Sequence, residues 1–472
     1  MDLEGGLGDS LGIESLEPEI TRLASKSIKT DGIPGLSIGV VRDDSLSGYF
    51  SFGTHRLGTE SSPTARTISR VASITKTFTA TAILQLRDLG QLELDDPLLV
   101  HMPDFTVASA LHGTLEAVTI RRLMTHYSGL RTEHPLTDWD APSFPTQDVL
   151  LNGLAAIEVV IPQDSQWKYS NLGVGLLGYV IEHVSDVPYE RYVYEEITAP
   201  LGLENTTFEL ESGQSLLKAT GYSHPAPGSD EIRESPYAPL RGIAAAGQLH
   251  SNVEDLAKWM SFQFTSGRST HSSRVLTAST LSEMHRPVYM SENWLSGQAI
   301  GWRMSRRGDL VLHNHGGGIQ GFASNMVFSV KARTGVIVLA NIWPAPTVAV
   351  LSEDIAEFVI QELGPVPEKL QTDLHPLSED RARAYLGHYW AEPGIYVDVL
   401  YQDGELSLVS PRETDYSLHS PTDLQVDPSV GARDSFTVVG GRGAGELAEF
   451  SLDDSDKAKA FRLGGFLYRR VD

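Results

Sequence analysis

The stretch Arg70-Val-Ala-Ser73-Ile-Thr-Lys76-Thr-Phe-Thr-Ala80 is the most informative part of the chain. From Ile74 to Leu86 a hydrophobic side chain recurs at every fourth position, which predicts a helix that begins near Ser73. On that helix Ser73 and Lys76 lie on one face about one turn apart, so a hydroxyl nucleophile is beside a base. The same spacing also arises by chance, as an N-cap serine followed by a solvated lysine, and other motifs must distinguish the two interpretations.

Two further motifs follow in chain order. Tyr169-Ser170-Asn171 precedes a second predicted helix, and His315-Gly316-Gly317-Gly318 follows a predicted strand. A third stretch, Leu123-Met-Thr-His-Tyr-Ser-Gly-Leu130, lies between them. Together with Ser73, these segments resemble the class C β-lactamase and penicillin-binding-protein family of serine hydrolases, which includes family VIII esterases and D-aminopeptidases. The resemblance covers roughly residues 32–341.

The resemblance implies a role for each of five side chains. Ser73 would be the acylated nucleophile, Lys76 and Tyr169 the proton-transfer pair, Asn171 an orienting amide and His315 a group on the substrate side. It also implies an oxyanion hole made by the backbone N–H groups of Ser73 and Gly318. Gly317 would allow close approach of the substrate to the strand.

The chemistry of the pair sets a condition on Lys76. A serine hydroxyl is unreactive at neutral pH unless a neighbour takes its proton. Lowering the pKa of Lys76 from about 10.4 to about 7 costs about 4 kcal/mol, and burial and a helix N-terminus both act in that direction. A charged Lys76 would instead stabilise a Tyr169 phenolate, so the base remains open between the two residues.

His315 departs from the family pattern, because β-lactam-recognising members usually carry Lys-Thr-Gly at this place. An imidazole is mostly neutral at pH 7, so a fixed charge for a β-lactam carboxylate is missing from this motif. Efficient β-lactamase action is therefore not expected. The alternative for His315 is a strand histidine that is hydrogen-bonded to a loop.

The remaining pattern predicts two domains. A β-hairpin near residues 35–53, a mostly helical insertion and three antiparallel strands near residues 309–340 indicate an α/β, β-lactamase/transpeptidase-like domain over residues 1–370. Short alternating runs after it predict a small all-β barrel over residues 371–472. By strand pattern alone this barrel resembles the lipocalin-like domain of some D-aminopeptidase relatives.

Composition narrows the partners. The 472 residues carry 37 Lys+Arg against 61 Asp+Glu, and the net charge of −24 disfavours nucleic acid and anionic membranes. The absence of cysteine excludes disulfides and thiolate metal sites. No membrane-spanning segment or secretion signal is evident, so we expect a soluble, cytoplasmic protein without cofactor or metal, and a homo-oligomer stays open.

Four patterns compete with this interpretation. Gly35-Leu-Ser37-Ile-Gly39 matches a nucleophile elbow, but a strand continues through it, so Ser37 is predicted to be structural. Gly173–Gly178 matches a dinucleotide motif without a preceding strand, which favours close helix packing. His313 and His315 could hold a metal but lack a third ligand. Three aromatic residues could line the acyl pocket or belong to the core or rim: Trp302, Trp167 and Tyr127.

The sequence thus predicts a serine hydrolase that forms an acyl-enzyme at Ser73 on a small ester or amide. An esterase is slightly favoured over a D-amino-acid peptidase or amidase, and a penicillin-binding or β-lactamase role comes third. One alternative is an acyltransferase that uses the same acyl-enzyme. The other is a non-catalytic ligand sensor or assembly protein of the same fold.

Overall fold

A computed structural model describes residues 12–471, apart from residues 104, 106–108, 111–112, 212, 227–228, 230, 265–271, 367–376, 393, 403–404, 410–421, 427–433 and 440–442. Most of the N-terminal stretch for which no secretion signal is predicted lies outside these residues. The chain divides into two compact units, Met1–Val366 and Pro367–Asp472. No helix within the described ranges has the length and apolar character needed to cross a membrane.

The first unit contains fourteen strands and eleven α-helices among its described residues. Its strands are β1 (Gly35–Arg42), β2 (Ser45–Gly53), β3 (Ser69–Arg70), β4 (Ser109–Ala110), β5 (Glu158–Val159), β6 (Tyr222–Ser223), β7 (Arg233–Glu234), β8 (His250–Ser251), β9 (Tyr289–Met290), β10 (Ser296–Gln298), β11 (Arg303–Arg307), β12 (Leu310–Ile319), β13 (Phe322–Ser329) and β14 (Thr334–Ala340). Its helices are α1 (Glu17–Asp31), α2 (Thr75–Asp88), α3 (Leu98–His101), α4 (Ile120–Thr125), α5 (Gln147–Asn152), α6 (Asn171–Ser185), α7 (Tyr189–Val193), α8 (Val253–Phe264), α9 (Ser272–Val275), α10 (Ala278–Met284) and α11 (Thr347–Leu363).

The main sheet has eight antiparallel strands in the order β2-β1-β14-β13-β12-β11-β10-β9. Strands β13 and β14 are buried along their whole length because helices cover both faces of the sheet. Helices α1 and α11 pack on one face, and α8 packs on the other. The predicted hairpin and the three predicted consecutive strands are confirmed as β1–β2 and β12–β14. The α/β fold class is confirmed with them.

The helical part lies around α2 and α6. The glycines of the Gly173–Gly178 segment lie inside α6, and no strand leads into them. A Cβ added at Gly178 would lie 2.7 Å from the Cβ of Ala245, in the 3₁₀ segment Arg241–Ala246. This segment therefore provides close helix packing, as predicted, and no dinucleotide site.

One predicted helix start needs correction. The sequence Ser251-Asn-Val-Glu254 indicates a capping box with Ser251 as the cap. In the structure Asn252 Oδ1 accepts the hydrogen bond from the N–H of Asp255 at 2.9 Å, so Asn252 is the cap of α8. Ser251 belongs to β8 instead, and its hydroxyl contacts the hydroxyl of Thr206 at 2.9 Å.

The second unit is a closed antiparallel barrel of eight strands preceded by the short helix α12 (Glu379–Ala382). The strands are β15 (Gly387–Ala391), β16 (Ile395–Gln402), β17 (Glu405–Val409), β18 (Thr422–Val426), β19 (Ser435–Val438), β20 (Leu447–Leu452), β21 (Ala458–Leu463) and β22 (Phe466–Arg470). Pairing of β15 with β22 closes the barrel. Buried rings, among them Tyr389, Phe450 and Phe461, contact one another in its core. The small all-β domain is confirmed, and its likeness to a lipocalin stays a prediction.

Candidate active site

Ser73 lies where a strand turns into a helix. Strand β3 ends at Arg70, and a single 3₁₀ turn over Ala72–Ile74 leads into α2. The four hydrophobic residues that predict this helix are all buried, so the helix start is fixed by the core: Ile74, Phe78, Ala82 and Leu86. Because the first turn of α2 is held in this way, the Ser73 hydroxyl has a defined position at the helix N-terminus.

Lys76 reaches the Ser73 hydroxyl from one turn further along, as the spacing predicts. Its ammonium donates to Ser73 Oγ at 3.1 Å, to Asn171 Oδ1 at 2.8 Å and to the carbonyl oxygen of Ala246 at 2.6 Å. Only 3% of the Lys76 surface is exposed. Three acceptors for three N–H groups hold the amine in one place.

Tyr169 approaches the same oxygen from the other side. Its hydroxyl donates to Ser73 Oγ at 2.8 Å. The residue precedes α6, whose N-cap Ser170 accepts from the N–H of Gly173 at 2.8 Å, and this cap fixes the direction of the segment. Asn171 follows as the first residue of α6 and contacts Lys76. The structure thus brings together the four residues Ser73, Lys76, Tyr169 and Asn171.

Burial shifts the pKa values of the two proton-transfer groups in opposite senses. Loss of hydration lowers the pKa of Lys76 to about 7, while the nearby carboxylate of Glu133 acts in the opposite direction. Burial raises the pKa of Tyr169 above its ordinary value, and the hydrogen bond to Ser73 only partly offsets this. At neutral pH Tyr169 is therefore a neutral donor, and Lys76 is present in substantial part as the free amine.

His315 lies on β12, buried beside the same site. Its Nδ1 is 2.8 Å from the carbonyl oxygen of Gly316, the next residue of its own strand. Burial and the positive charge of Lys76 lower the pKa of His315 to about 3, so the imidazole is neutral. A neutral imidazole is what the sequence predicts. The ring of His315 forms part of the cavity wall, and its Nδ1 contact is with its own strand rather than with a loop.

The glycines after His315 form one wall of the site. Strand β11 pairs with β12 only as far as Asn314, so no described strand pairs with the edge from Gly316 to Gly318 on that side. The two-residue turn at Gln320 and Gly321 makes Ile319 and Phe322 a hydrogen-bonded pair. By alternation the N–H of Gly318 then points away from β13 toward this open edge.

These groups surround a cavity of 660 Å³. Ser73, Tyr169, Asn171, His315 and Gly318 are part of its wall. Most of the remaining wall is apolar and includes Trp139, Leu240, Ile243, Ile319 and Trp343. Three polar side chains complete it: Asp140, Arg303 and Gln320. A mostly apolar concave site with a few convergent polar groups is typical of a small-molecule site.

A family model described as Beta-lactamase matches residues 20–359. The chain belongs to the β-lactamase family. A beta-lactamase-like protein 2 from Dictyostelium discoideum is 32% identical over 278 residues, which are 57% of this chain but only 48% of that protein. The chain thus spans about half the length of this curated relative.

Two solved structures share the fold of this family member. The octameric penicillin-binding protein homologue from Pyrococcus abyssi is 23% identical, with a TM-score of 0.61 over 96% of this chain and 99% of that one. A D-stereospecific amidohydrolase from Streptomyces is 26% identical, with a TM-score of 0.56 over 69% and 94% of the two chains.

Several residues of the site were not predicted from the sequence of this β-lactamase family member. Glu133 accepts from the Nδ2 group of Asn171 at 2.6 Å, which fixes the orientation of that amide. Arg303, on β11, supplies an exposed cation at the cavity and lies 4.8 Å over the ring of Trp167. The His315 motif itself carries no fixed positive charge, as expected, but Arg303 brings one to the cavity wall from β11.

The aromatic candidates lie elsewhere. Trp302 is fully buried and packs edge-on against Phe328 in the core. Tyr127 stacks on Tyr289, and Trp167 donates to Gln298 Oε1 at 3.1 Å, so these two belong to the rim. The indoles in the cavity wall are those of two residues that the sequence pattern did not single out: Trp139 and Trp343.

The competing patterns have other places in the structure. Ser37 lies within β1 and is 3.1 Å from the hydroxyl of Tyr49. His313 is buried, with Nε2 2.8 Å from the carbonyl oxygen of His285. In the part of the chain that the structure describes, no three His, Asp or Glu side chains converge to hold a metal ion.

The lowered pKa of Lys76 predicts the pH dependence of turnover. We expect kcat/KM to fall as the pH drops below about 7, because protonated Lys76 cannot accept the proton of Ser73. Glu133→Gln removes a charge that raises the pKa of Lys76, so the acidic limb of this variant should shift to lower pH. The measurement is kcat/KM against pH for the wild type and for Glu133→Gln, with Glu362→Gln, at an exposed position, as the control. An unchanged limb, or one that moves to higher pH, would contradict the assignment.

A substitution at Gly317 tests the close packing of β12 beside the nucleophile. An added Cβ would lie 2.3 Å from the carbonyl oxygen of Val71 and 2.4 Å from Ser324 Oγ. Because Val71 is two residues before Ser73, we expect Gly317→Ala to displace the nucleophile, to lower kcat and to reduce stability by about 1–3 kcal/mol. Gly213→Ala, with no atom within 4 Å of its Cβ, is the control. A Gly317→Ala variant with the melting temperature and kcat of the wild type would contradict this prediction, because β12 could then move away from Val71 without effect on Ser73.

Proposed function

We propose that this β-lactamase family member is a serine hydrolase that forms an acyl-enzyme at Ser73 on a small ester or amide. The observation that supports this most directly is the convergence of Lys76 Nζ and the Tyr169 hydroxyl on Ser73 Oγ, at 3.1 and 2.8 Å. A nucleophile within hydrogen-bond reach of a tuned base is the arrangement that activates a serine.

Lys76 is the better candidate for the base. A neutral amine keeps two N–H groups and one lone pair. The oxygens of Asn171 and Ala246 can only accept, so they take the two N–H groups. The lone pair is then left for the proton of Ser73. Glu133 supports this orientation because it holds the Asn171 amide with Oδ1 toward Lys76.

The reaction then follows from the positions of the groups. Ser73 Oγ attacks the carbonyl carbon while its proton passes to Lys76. The bond to the leaving group breaks as that group takes a proton from the Tyr169 hydroxyl, and the proton on Lys76 replaces it. The N–H groups of Ser73 and Gly318 stabilise the oxyanion. In the second half of the reaction, water attacks the acyl carbonyl carbon and gives a proton to Lys76. The bond from that carbon to Ser73 Oγ then breaks as Oγ takes this proton back, and the acid leaves.

The cavity wall supports a preference for an apolar acyl group. Leu240 and Ile243 are buried in the wall, and two indoles lie around it. Arg303 adds a cation that favours a carboxylate elsewhere on the substrate. We therefore propose an ester first and a D-amino-acid amide second, with His315 facing the substrate as a neutral ring.

Intact-mass spectrometry tests the proposal. The full chain is incubated with a p-nitrophenyl short-chain ester, a D-alanine anilide and a penicillin, and chromophore release is followed in parallel. We expect a transient acyl adduct that maps to the peptide containing Ser73, and the reagent released fastest identifies the substrate class. A stable adduct without release, or no adduct with any of the three reagents, would overturn the hydrolase assignment.

We also propose that the chain forms a homo-oligomer. The support is its fold-level likeness to a penicillin-binding protein homologue that is octameric. Light scattering coupled to size exclusion should give a mass that is a multiple of 51.5 kDa. A mass of one chain at micromolar concentration would overturn this proposal without affecting the catalytic one.

A further inference from the structure

A second cavity, of 480 Å³, lies close to the first and is lined by polar groups. Its wall includes three cationic side chains and one carboxylate: Arg56, Arg70, Lys218 and Glu234. The local charge is therefore positive in a chain whose net charge is −24. Such a local reversal of charge needs a physical explanation, because like charges that lie close together repel each other.

Arg70 is the unusual member of this wall. Its surface is only 1% exposed, and its Nη2 group donates to the carbonyl oxygen of Ala238 at 3.1 Å. Its Nε and Nη1 groups are buried without a hydrogen-bond partner among the described residues. A buried guanidinium that lacks a counter-charge is costly, so natural sites pair it with an anion.

Lys218 lines the same cavity as Arg70 and adds a second positive charge to its wall. The two charged groups lie over the ring of Tyr237, with Lys218 Nζ 4.7 Å and Arg70 Cζ 4.9 Å from its centroid. Burial and the charge of Arg70 lower the pKa of Lys218, and exposed Glu234 offsets this only in part. The neighbouring His250 adds no charge, because burial and these two cations lower its pKa to about 3.

We propose that this second cavity is a binding site for a small oxyanion, a phosphate or a carboxylate, held by Arg70 and Lys218. Guanidinium and ammonium groups are the donors that recognise such anions, and an anion in the cavity that these two residues line would supply the counter-charge that Arg70 lacks. Arg56, which donates to Thr220 Oγ1 at 3.1 Å, lies at the exposed part of the wall. The inference does not depend on the catalytic proposal.

Ligand-dependent unfolding of the full chain tests the site. The melting temperature is measured in inorganic phosphate, in acetate and in chloride at equal ionic strength and pH, because a ligand that binds only the folded state raises it. We expect phosphate or acetate to stabilise the protein above chloride, and the stronger of the two identifies the recognised group. Equal melting temperatures in all three salts would overturn the proposal.

Variants locate the binding. Lys218→Gln is preferred to a change at Arg70, because a half-buried lysine is replaced with less effect on folding. We expect titration calorimetry to show about tenfold weaker binding of the stabilising anion in Lys218→Gln. The exposed Lys331→Gln and the first-cavity variant Arg303→Gln should bind as the wild type does. Wild-type affinity in Lys218→Gln, or a loss confined to Arg303→Gln, would overturn the assignment.

Discussion

Replacing Ser73 by alanine is expected to lower kcat/KM by about 10⁴-fold or more, because no other described hydroxyl lies between Lys76 and Tyr169 to form the acyl-enzyme. The fold should be retained, since the Ser73 side chain is only partly buried and its removal leaves the core of α2 unchanged. Steady-state hydrolysis of the best reagent from the adduct screen measures the effect, with the melting temperature recorded alongside.

Ser37 provides a matched control for this prediction. It occupies the centre of a Gly-x-Ser-x-Gly pattern but lies inside β1 beside Tyr49, away from the cavity wall. Ser37→Ala should therefore keep the wild-type kcat/KM. Activity that survives Ser73→Ala and disappears in Ser37→Ala would refute our assignment of the nucleophile.

Replacing Lys76 by methionine is expected to lower kcat by about 10²–10⁴-fold, the usual contribution of a general base. Methionine fills a similar volume without a charge, and burial already lowers the pKa of Lys76 to about 7. Stability should therefore not collapse with the activity, although the oxygens of Asn171 and Ala246 each lose a donor.

The pH profile separates a chemical role of Lys76 from a structural one. The acidic limb near pH 7 should disappear in Lys76→Met, and the residual rate should no longer rise through that range. Lys331→Met, at an exposed lysine, should keep both the rate and the limb. A Lys76→Met variant that retains kcat within tenfold would exclude Lys76 as the base and leave Tyr169 as the alternative.

Local sequence patterns were sufficient to predict most of the helices and strands that position the site. The four-residue recurrence from Ile74 to Leu86 and the three-residue offset to Lys76 determine which side chains face one another on a helix, so these positions follow from sequence. The hairpin and the run of strands after residue 309 follow in the same way from alternation and turns. The capping error at Ser251 arose because the pairing of β8 with β3, which is distant in sequence, makes Ser251 part of a strand.

The missed residues share a different origin. Glu133 and Arg303 reach the site from a loop and from a strand of their own, and nothing in their local sequence marks them. Trp343 lies just after β14 and faces Gly318, where its Nε1 would be 2.4 Å from an added Cβ. Such positions are set by tertiary packing, so motifs predicted the reacting groups but not the residues of the cavity wall.

Gln320 lies in the two-residue turn after β12 and contributes to the walls of both cavities. Its side-chain amide donates to the carbonyl oxygen of Trp139 at 2.9 Å, on the side of the first cavity. Because Gln320 belongs to both walls, a ligand in one cavity that moves this turn changes the affinity of the other cavity for its ligand. By reciprocity, the factor by which an oxyanion changes the affinity for substrate equals the factor by which substrate changes the affinity for the oxyanion.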